Sequence, residues 1–473
     1  MTDFSPRLNL FRPLVIRGLN WLGDAVMSFP AISAIKAQNP SRRLVLAARA
    51  STAGAYESLD LFSEILVEGR ELSSRLEVAK KIRALEPAGV LILPNSFSTA
   101  LMARLTGAPV RVGSAKNLRS FLLTQAVTFT PQEEAAHECF KFLRLVQELG
   151  LKAPFTRPKI APPELPESLT LPEGLRLAIA PGAAYGSAKR WPAERFAKAA
   201  RLILGDRHGA AIILGGPSET QAAKEVEDDL AGGPEVLNLA GKTSLQEAAG
   251  VLGRCHLTLS NDSGLMHLSG ALDVPVVAVF GPTNPIKTSP LSGRCAVLRQ
   301  PAPCSPCRYR DCPKPNRLCF EGLGANEVAR AATELLRPVR KSRKTVVWSP
   351  TGDLIWPTNP VLGMNFYASA TEIAKAGGKP ATAPYWLKVI WSPLETANDW
   401  LGLIHSRKLD PAAIFWVGDS ERPIVLSQAL GGRSVLITTG RAQKIIPDLL
   451  AAGQVPTIAA PDWTRALEWI ESF

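Results

Sequence analysis

The sequence contains no charge-free apolar stretch long enough to cross a bilayer, which sets aside a membrane-spanning helix. Residues Met1 to Phe11 lack the basic start, apolar middle and small-residue cleavage site of a secretory leader, and Asp3, Pro6 and Arg7 interrupt them. The expected location is therefore the cytoplasm, with any lipid-linked substrate met at the membrane surface. There is no low-complexity tract and no short-period repeat, which argues against a solenoid. Acidic residues are outnumbered, 42 against 54 Lys and Arg, for a formal charge of +12. Such a surplus suits an anionic partner or simply a basic, well-solvated surface. No nucleic-acid-binding signature accompanies it, so no nucleic acid is expected as a partner.

What is present is an ordinary globular composition, 46% hydrophobic and 20% charged, over 473 residues. That length predicts two or three α/β units. Leu14 to Arg17, Leu44 to Ala47 and Gly89 to Leu93 read as strands, with a helical pattern at Val26, Phe29, Ile32 and Ile35 between the first two. Strands alternating with helices imply parallel βαβ units. A stretch holding Pro154, Pro158, Pro162, Pro163, Pro166 and Pro172 reads as a linker. Strands then recur at Leu175 to Ala180, Ala211 to Leu214, Leu257 to Ser260 and Val274 to Phe280. The basic run Arg337, Arg340, Lys341, Arg343 and Lys344 reads as a solvated connection to a third, Trp-rich α/β unit beginning at Thr345. The expected domains are residues 1–165, 166–340 and 341–473.

Four loops between a strand and a helix carry candidate chemistry. Arg17-Gly18-Leu19-Asn20-Trp21-Leu22-Gly23-Asp24 is not a P-loop and misses the dinucleotide fingerprint. Asp24 would repel a diphosphate, and its spacing suits a helix cap and a general acid or base equally. The carboxyl edge of a parallel sheet, where it falls, is where α/β proteins hold their chemistry. Pro181 to Pro192 supplies small residues (Gly182, Ala183, Ala184, Gly186), Tyr185, the Ser187 hydroxyl and the charges of Lys189 and Arg190, a composition that can hold a phosphate. Ser260 to His267 places Asp262, Ser263 and Gly264 at a helix start, where free N–H groups and the helix dipole attract phosphate. Glu219, after Gly215-Gly216-Pro217-Ser218, suits either a sugar or ribose hydroxyl or the start of a helix.

Taken together, Asn20 to Asp24, Pro181 to Pro192, Asn238 to Thr243, Asn261 to His267 and Gly281-Pro282-Thr283 resemble the ADP-heptose:lipopolysaccharide heptosyltransferases of glycosyltransferase family 9, in their heptosyltransferase II branch, over about residues 12 to 336. The resemblance implies a GT-B fold with the site between two Rossmann-like domains, and inverting transfer from ADP-heptose to a lipid A–Kdo–heptose acceptor. It implies that Asp24 deprotonates the acceptor hydroxyl and that Lys189 neutralises the departing diphosphate. Gly182, Tyr185, Ser187, Glu219, Asp262, Ser263, Gly264 and His267 would bind the donor. Arg17, Asn20 and Arg119, with Arg42, Arg43, Arg111 and Lys116, are candidate contacts for the anionic acceptor, although each basic residue taken singly reads equally as a surface charge that keeps the chain in solution. No metal is required for such a transfer. Contact with the inner face of the cytoplasmic membrane would be peripheral.

Four of the seven cysteines, Cys304, Cys307, Cys312 and Cys319, fall close together among prolines. Four sulfurs could hold zinc or an iron–sulfur cluster, form disulfides or remain thiols. The spacing resembles cysteine loops of heptosyltransferase II relatives, but Asn316 stands where a His is common. Beyond residue 343, Val346 to Ile355 resembles the first motif of haloacid-dehalogenase phosphatases with Ser349 and Thr351 in place of its two aspartates. Trp416 to Ser420 resembles the last motif, with Pro423 in place of an acid. Without those carboxylates, magnesium binding and phosphoaspartate chemistry are not expected.

Overall fold

The computed structural model describes residues 8–9, 11–307, 309–314, 316–337, 345–349, 365–369, 387–390, 400–401, 404, 406 and 409–472. Most of the N-terminal segment (1–7 and 10), Arg340, Lys341, Arg343 and Lys344 of the basic run, and Pro350 to Ile355 of the phosphatase-like motif lie outside them.

The first sheet comprises β1 (Leu14–Arg17), β2 (Leu44–Arg49), β3 (Glu64–Glu68), β4 (Gly89–Ile92), β5 (Val110–Ser114) and β6 (Gln125–Val127). The second comprises β7 (Leu175–Ala180), β8 (Gly209–Ile213), β9 (Glu235–Asn238), β10 (Leu257–Asn261), β11 (Val276–Phe280) and β12 (Cys295–Arg299). The third comprises β13 (Thr345–Ser349), β14 (Asn365–Ser369), β15 (Leu387–Ile390), β16 (Ile414–Gly418), β17 (Arg433–Ile437) and β18 (Ile458–Ala460). Their orders are β3-β2-β1-β4-β5-β6, β12-β11-β10-β7-β8-β9 and β15-β14-β13-β16-β17-β18. Each is the same doubly wound order: the chain starts in the middle, runs to one edge, and returns to build the other half. The crevice where the order reverses lies between β1 and β4, between β7 and β10, and between β13 and β16. Central strands are apolar on both faces because helices cover both; β1, β4, β10 and β11 are buried throughout.

The helical pattern after β1 is split. Helix Leu22–Met27 ends at Ser28, and Phe29–Gln38 begins anew with a proline in its first turn. Pro30 lacks the N–H that a continuous helix would need there. The proline-rich segment is also more than a connector. Ile160 N–H donates to the Ala271 carbonyl, and Pro162, Pro163 and Leu165 lie so close to Gly250 and Gly253 that a methyl group at either glycine would collide. It is packed along the second domain.

The third domain touches both of the others. His137 N–H donates to the Ala459 carbonyl, Phe155 N–H to the Glu468 carboxylate, and Arg465 to the Ala153 carbonyl, all from the first-domain side. On the second-domain side Arg433 donates to the Gly293 carbonyl and Arg299 to the Leu450 carbonyl. One continuous apolar cluster joins Phe140 and Phe155, Leu268 and Leu272, and Phe415, Trp469 and Ile470. The three domains are thus fused at a common core.

Candidate active site

The loop after β1 is held from beneath. Leu19 N–H donates to the Tyr56 hydroxyl at 3.0 Å, and Thr52 Oγ1 donates to the Leu19 carbonyl at 2.9 Å. Trp21 is the N-cap of the next helix, so Asp24 falls inside the first turn rather than at the cap. Among the described residues no hydrogen bond engages its carboxylate. Burial is the main reason its pKa rises to about 6; Glu138 adds to the rise and Lys189 opposes it. A carboxylate poised near neutrality and free of internal bonds is suited to accepting a proton.

The facing half-site is built at the crevice between β7 and β10. Asn261, fully buried at the end of β10, donates to the Pro181 carbonyl at 2.6 Å and accepts from Trp191 N–H at 3.0 Å, which ties the two loops together. Lys189 Nζ donates to Asp262 Oδ2 at 2.6 Å, and Thr283 Oγ1 donates to the same oxygen at 2.6 Å. Asp262 is therefore a partner for Lys189, and Ser263 takes the N-cap of helix Gly264–Ala271. Gly182 has to be glycine, because a methyl there would lie 2.4 Å from the Glu219 carboxyl carbon. Glu219 closes that side of the loop, accepting from Gly216 N–H at 2.7 Å, and burial raises its pKa. The Tyr185 ring has Lys189 Nζ 5.1 Å from its centroid and the Arg310 guanidinium at 5.2 Å. Ser187 Oγ donates to Asp311 at 2.7 Å.

The two half-sites meet directly. A methyl group at Gly23 would lie 2.8 Å from the His267 ring, and one at Gly264 would lie 2.6 Å from Leu22 Cβ. The helix carrying Asp24 thus abuts the N-terminus of the helix that follows Asp262. Burial lowers the His267 pKa to about 3, so the ring is neutral, and among the described residues its Nδ1 has no hydrogen-bond partner.

The expected acceptor contacts need correcting. Arg17 is buried, bonded to Glu68 and to the carbonyls of Gly18 and Ala47, and it holds Asn20 at 3.4 Å. Arg119 is fully buried and donates to the carbonyls of Ser114, Pro94 and Ser96. Both brace loops from within and neither faces solvent. Arg42 is also buried, and Arg111 is turned onto the carbonyls of Leu122 and Ala108. Arg43 precedes β2 and so sits at the sheet edge opposite Asp24. Lys116 remains half-exposed in an ion pair with Glu134. A guanidinium read from sequence carries no sign of whether it points in or out; buried carbonyl groups in need of donors decided it for Arg17, Arg111 and Arg119, whereas Arg42 is buried with no partner for either Nη among the described residues.

Cys304, Cys307, Cys312 and Cys319 are free thiols. They lie near enough that the other three help burial raise the Cys319 pKa to about 11. Among the described residues no three His, Cys, Asp or Glu side chains are grouped as metal ligands. The cysteine loop walls the donor half-site. Ser305 Oγ donates to the Gly281 carbonyl, Cys307 N–H to Pro282, Ala188 N–H to Arg310, and Arg317 to the Arg190 carbonyl.

Glu138, His137, Lys287 and Arg310 escaped the sequence reading. Glu138 opens an amphipathic helix, Glu138–Glu148, and on sequence alone looks like an ordinary acidic first-turn residue. His137 bridges lobes, its Nε2 bonded to the Ser289 carbonyl at 2.9 Å, and Lys287 donates to the Ala136 carbonyl at 3.2 Å. No local pattern marks such residues, since each matters for a neighbour distant in sequence.

Two Rossmann-like lobes, an acid on one and a cationic, amide-rich cradle on the other, with the seam between them, define a GT-B-type glycosyltransferase. The sequence profile of glycosyltransferase family 9 (heptosyltransferase) matches residues 75–317. A lipooligosaccharide heptosyltransferase 2 of Campylobacter jejuni is 31% identical over 67% of this chain and 96% of its own length. Lipopolysaccharide heptosyltransferase 2 of Escherichia coli K12 is 28% identical over 60% of this chain and 87% of its own. The solved structure of E. coli ADP-heptose lipopolysaccharide heptosyltransferase II superposes with a TM-score of 0.58 at 25% identity, over 68% of this chain and 98% of the other. The chain belongs to glycosyltransferase family 9.

Proposed function

We propose that this protein transfers heptose from ADP-heptose to the inner core of lipopolysaccharide, adding the second heptose to a lipid A–Kdo–heptose acceptor. The observation that carries the reading is the direct abutment of the Asp24 helix on the donor cradle at Gly23–His267 and Leu22–Gly264. Asp24, at a pKa of about 6, takes the proton of the acceptor hydroxyl as its oxygen attacks the anomeric carbon. The bond to ADP breaks on the opposite face, which inverts the configuration. Lys189, the dipole of helix Gly264–Ala271 and its free N–H groups meet the charge that develops on the leaving diphosphate. These groups stabilise that charge without a metal. Neutral His267 offers its unpartnered Nδ1 to the donor as a hydrogen-bonding group rather than a charge. Glu219 suits a hydroxyl of the sugar or ribose.

The names and coverage of the relatives support the donor and acceptor assignment, and we read a lipid-linked acceptor as met at the inner face of the cytoplasmic membrane through peripheral contact. No helix of the described residues is long and apolar enough to cross a membrane. The third domain we read as a haloacid-dehalogenase-like module without phosphatase activity. β13 lies beside β16, which brings Ser349 and Asp419 to the same sheet edge where that chemistry would need a set of carboxylates.

The test is incubation of the purified protein with ADP-heptose and truncated lipopolysaccharide acceptors, read by product mass. A gain of one heptose on an acceptor already bearing one supports the reading. Transfer only from another nucleotide sugar, or only to another acceptor, replaces it. Magnesium-dependent release of phosphate from heptose bisphosphate would overturn the reading of the third domain.

A further inference from the structure

The three domains meet at His137, which is fully buried where the chain enters helix Glu138–Glu148. Its backbone N–H donates to the Ala459 carbonyl of the third domain at 3.0 Å. Its ring Nδ1 accepts the Cys139 N–H at 3.3 Å, so the ring proton sits on Nε2, which donates to the Ser289 carbonyl of the second lobe at 2.9 Å. Burial lowers the pKa to about 4; the Ser289 bond and Glu138 oppose the fall and Lys287 adds to it, so the ring is neutral. Neighbouring bonds close a ring around this point. Lys287 of the second lobe donates to the Ala136 carbonyl at 3.2 Å, Ser289 Oγ to the Thr457 carbonyl of the third domain at 3.4 Å, and Thr438 Oγ1 of the third domain to the Gln132 carbonyl at 2.9 Å. Ile286, in helix Pro285–Thr288, is buried in an apolar cluster otherwise made of third-domain residues, among them Ile424, Leu436 and Leu449.

Each segment held at this joint leads straight into the site. Glu138, next in the chain after His137, helps to raise the Asp24 pKa. On the other lobe, helix Pro285–Thr288 closely follows Thr283, whose hydroxyl shares an Asp262 oxygen with Lys189. His137 itself lies near enough to His267 to help lower the pKa of that ring. Domains joined through a modest polar interface move relative to one another by default. A third body bonded to both lobes takes that freedom away, and a misplacement of about 1 Å at a reacting centre costs about a hundredfold in rate.

We propose that the third domain is a clamp that sets the distance between Asp24 and the donor cradle, with His137 as the positioning residue through which it acts. The third domain holds the backbone of His137, and the ring of His137 holds the second lobe. Being fully buried, His137 acts through its neighbours and not on substrate. The effect on turnover rests on the transfer reading; the hold on the seam does not.

The test uses the full chain with three separate substitutions. His137→Asn keeps an oxygen to accept the Cys139 N–H but falls short of Ser289, whereas His137→Gln carries an amide N–H out to Ser289. Thr438→Val removes the third-domain hydroxyl that donates to Gln132 and leaves every residue of the two lobes in place. His137→Asn and Thr438→Val are expected to lower kcat/KM, the first by about tenfold or more, with ADP affinity within about twofold of wild type. The acid limb of their pH–rate profiles should move to lower pH. As the second lobe backs away Asp24 gains water, and burial is the largest influence on its pKa, ahead of Glu138, Lys189 and Asp262. Deuterium uptake by helices Leu22–Met27 and Gly264–Ala271, read without substrate, should rise in both variants. His137→Gln should return most of each change. Unchanged uptake in His137→Asn and Thr438→Val overturns the clamp. Equal impairment of the Asn and Gln variants also overturns it, since His137 would then be a helix cap alone. So does a loss of ADP affinity that matches the loss of kcat/KM, because the joint would then serve only the cradle. Raised uptake with kcat/KM at the wild-type level removes the positioning role. Raised uptake in a protein whose wild type moves heptose to no acceptor keeps the clamp and removes the transfer reading instead.

Discussion

Gly23 and His267 face each other across the seam between the two Rossmann-like lobes, with no room between them for a methyl group. The relationship fixes where the acid of one lobe stands relative to the phosphate cradle of the other. It also makes the seam open to test by the smallest of substitutions.

Gly23→Ala should push the lobes apart at the site. A β-carbon 2.8 Å from the imidazole has to be relieved by movement of a buried ring or of the helix itself. We expect kcat/KM to fall by about tenfold to a hundredfold, with ADP affinity much less affected, because the cradle lies wholly on the other lobe. His267→Ala in the same chain should restore part of the loss, and a double-mutant cycle would show strong coupling. Additive effects would place Gly23 and His267 in separate roles.

Asp24→Asn should abolish transfer yet stabilise the fold. The folded-state pKa of about 6 lies above the ordinary value of 3.8 given for the unfolded chain. The folded protein therefore holds the proton more tightly, and stability falls as pH rises from about 4 to 6, then stays low. Removing the charge should recover up to about 3 kcal/mol at pH 8 and little at pH 3.5. Chemical denaturation at the two pH values measures this. Turnover should drop by about a hundredfold to ten-thousandfold.

The acid limb of the wild-type pH–rate profile should report the same group. kcat/KM is expected to rise with pH through about 6, as Asp24 loses its proton. Glu138→Gln removes a neighbouring negative charge that helps hold the pKa up. The limb should move to lower pH in that variant. A profile unmoved by Glu138→Gln would show that Glu138 does not act on the titrating group.

Lys189→Met should weaken ADP binding about tenfold or more, and should also destabilise the second domain. Asp262 is 6% exposed and its ion pair is 2.6 Å long, so loss of Lys189 leaves a buried charge with only the Thr283 hydroxyl. Adding Asp262→Asn should return the unfolding temperature toward wild type without returning ADP affinity. Calorimetric titration with ADP beside thermal unfolding separates the two effects. Recovery of ADP affinity in the double variant would mean that Lys189 acts only through Asp262.

The third domain should prove part of the structural unit. Arg465→Ala with Glu468→Ala removes its bonds to Ala153 and Phe155. Leaving those buried backbone groups without partners should cost about 1–3 kcal/mol each. Urea denaturation should then show the third domain unfolding before the lobes. A single transition at unchanged midpoint would show that the contacts contribute nothing.

The local sequence determined a good deal. Apolar runs such as Leu14 to Arg17 and Val276 to Phe280 are strands because only a sheet covered on both faces buries every side chain of such a run. Their alternation with helices dictated parallel sheets, and the loops holding Asp24, Lys189 and Asp262 stood out because small and polar residues follow a strand directly. The tertiary structure alone decided what those residues face. Nothing near Asp24 in the chain raises its pKa; a carboxylate at position 138 and burial between lobes do. Nothing near Arg119 shows that its guanidinium turns inward to satisfy carbonyl groups, or that Leu118 turns outward. Secondary structure follows from periodicities read within a few residues, whereas charge, burial and proximity at a site depend on groups that the fold brings together from far apart.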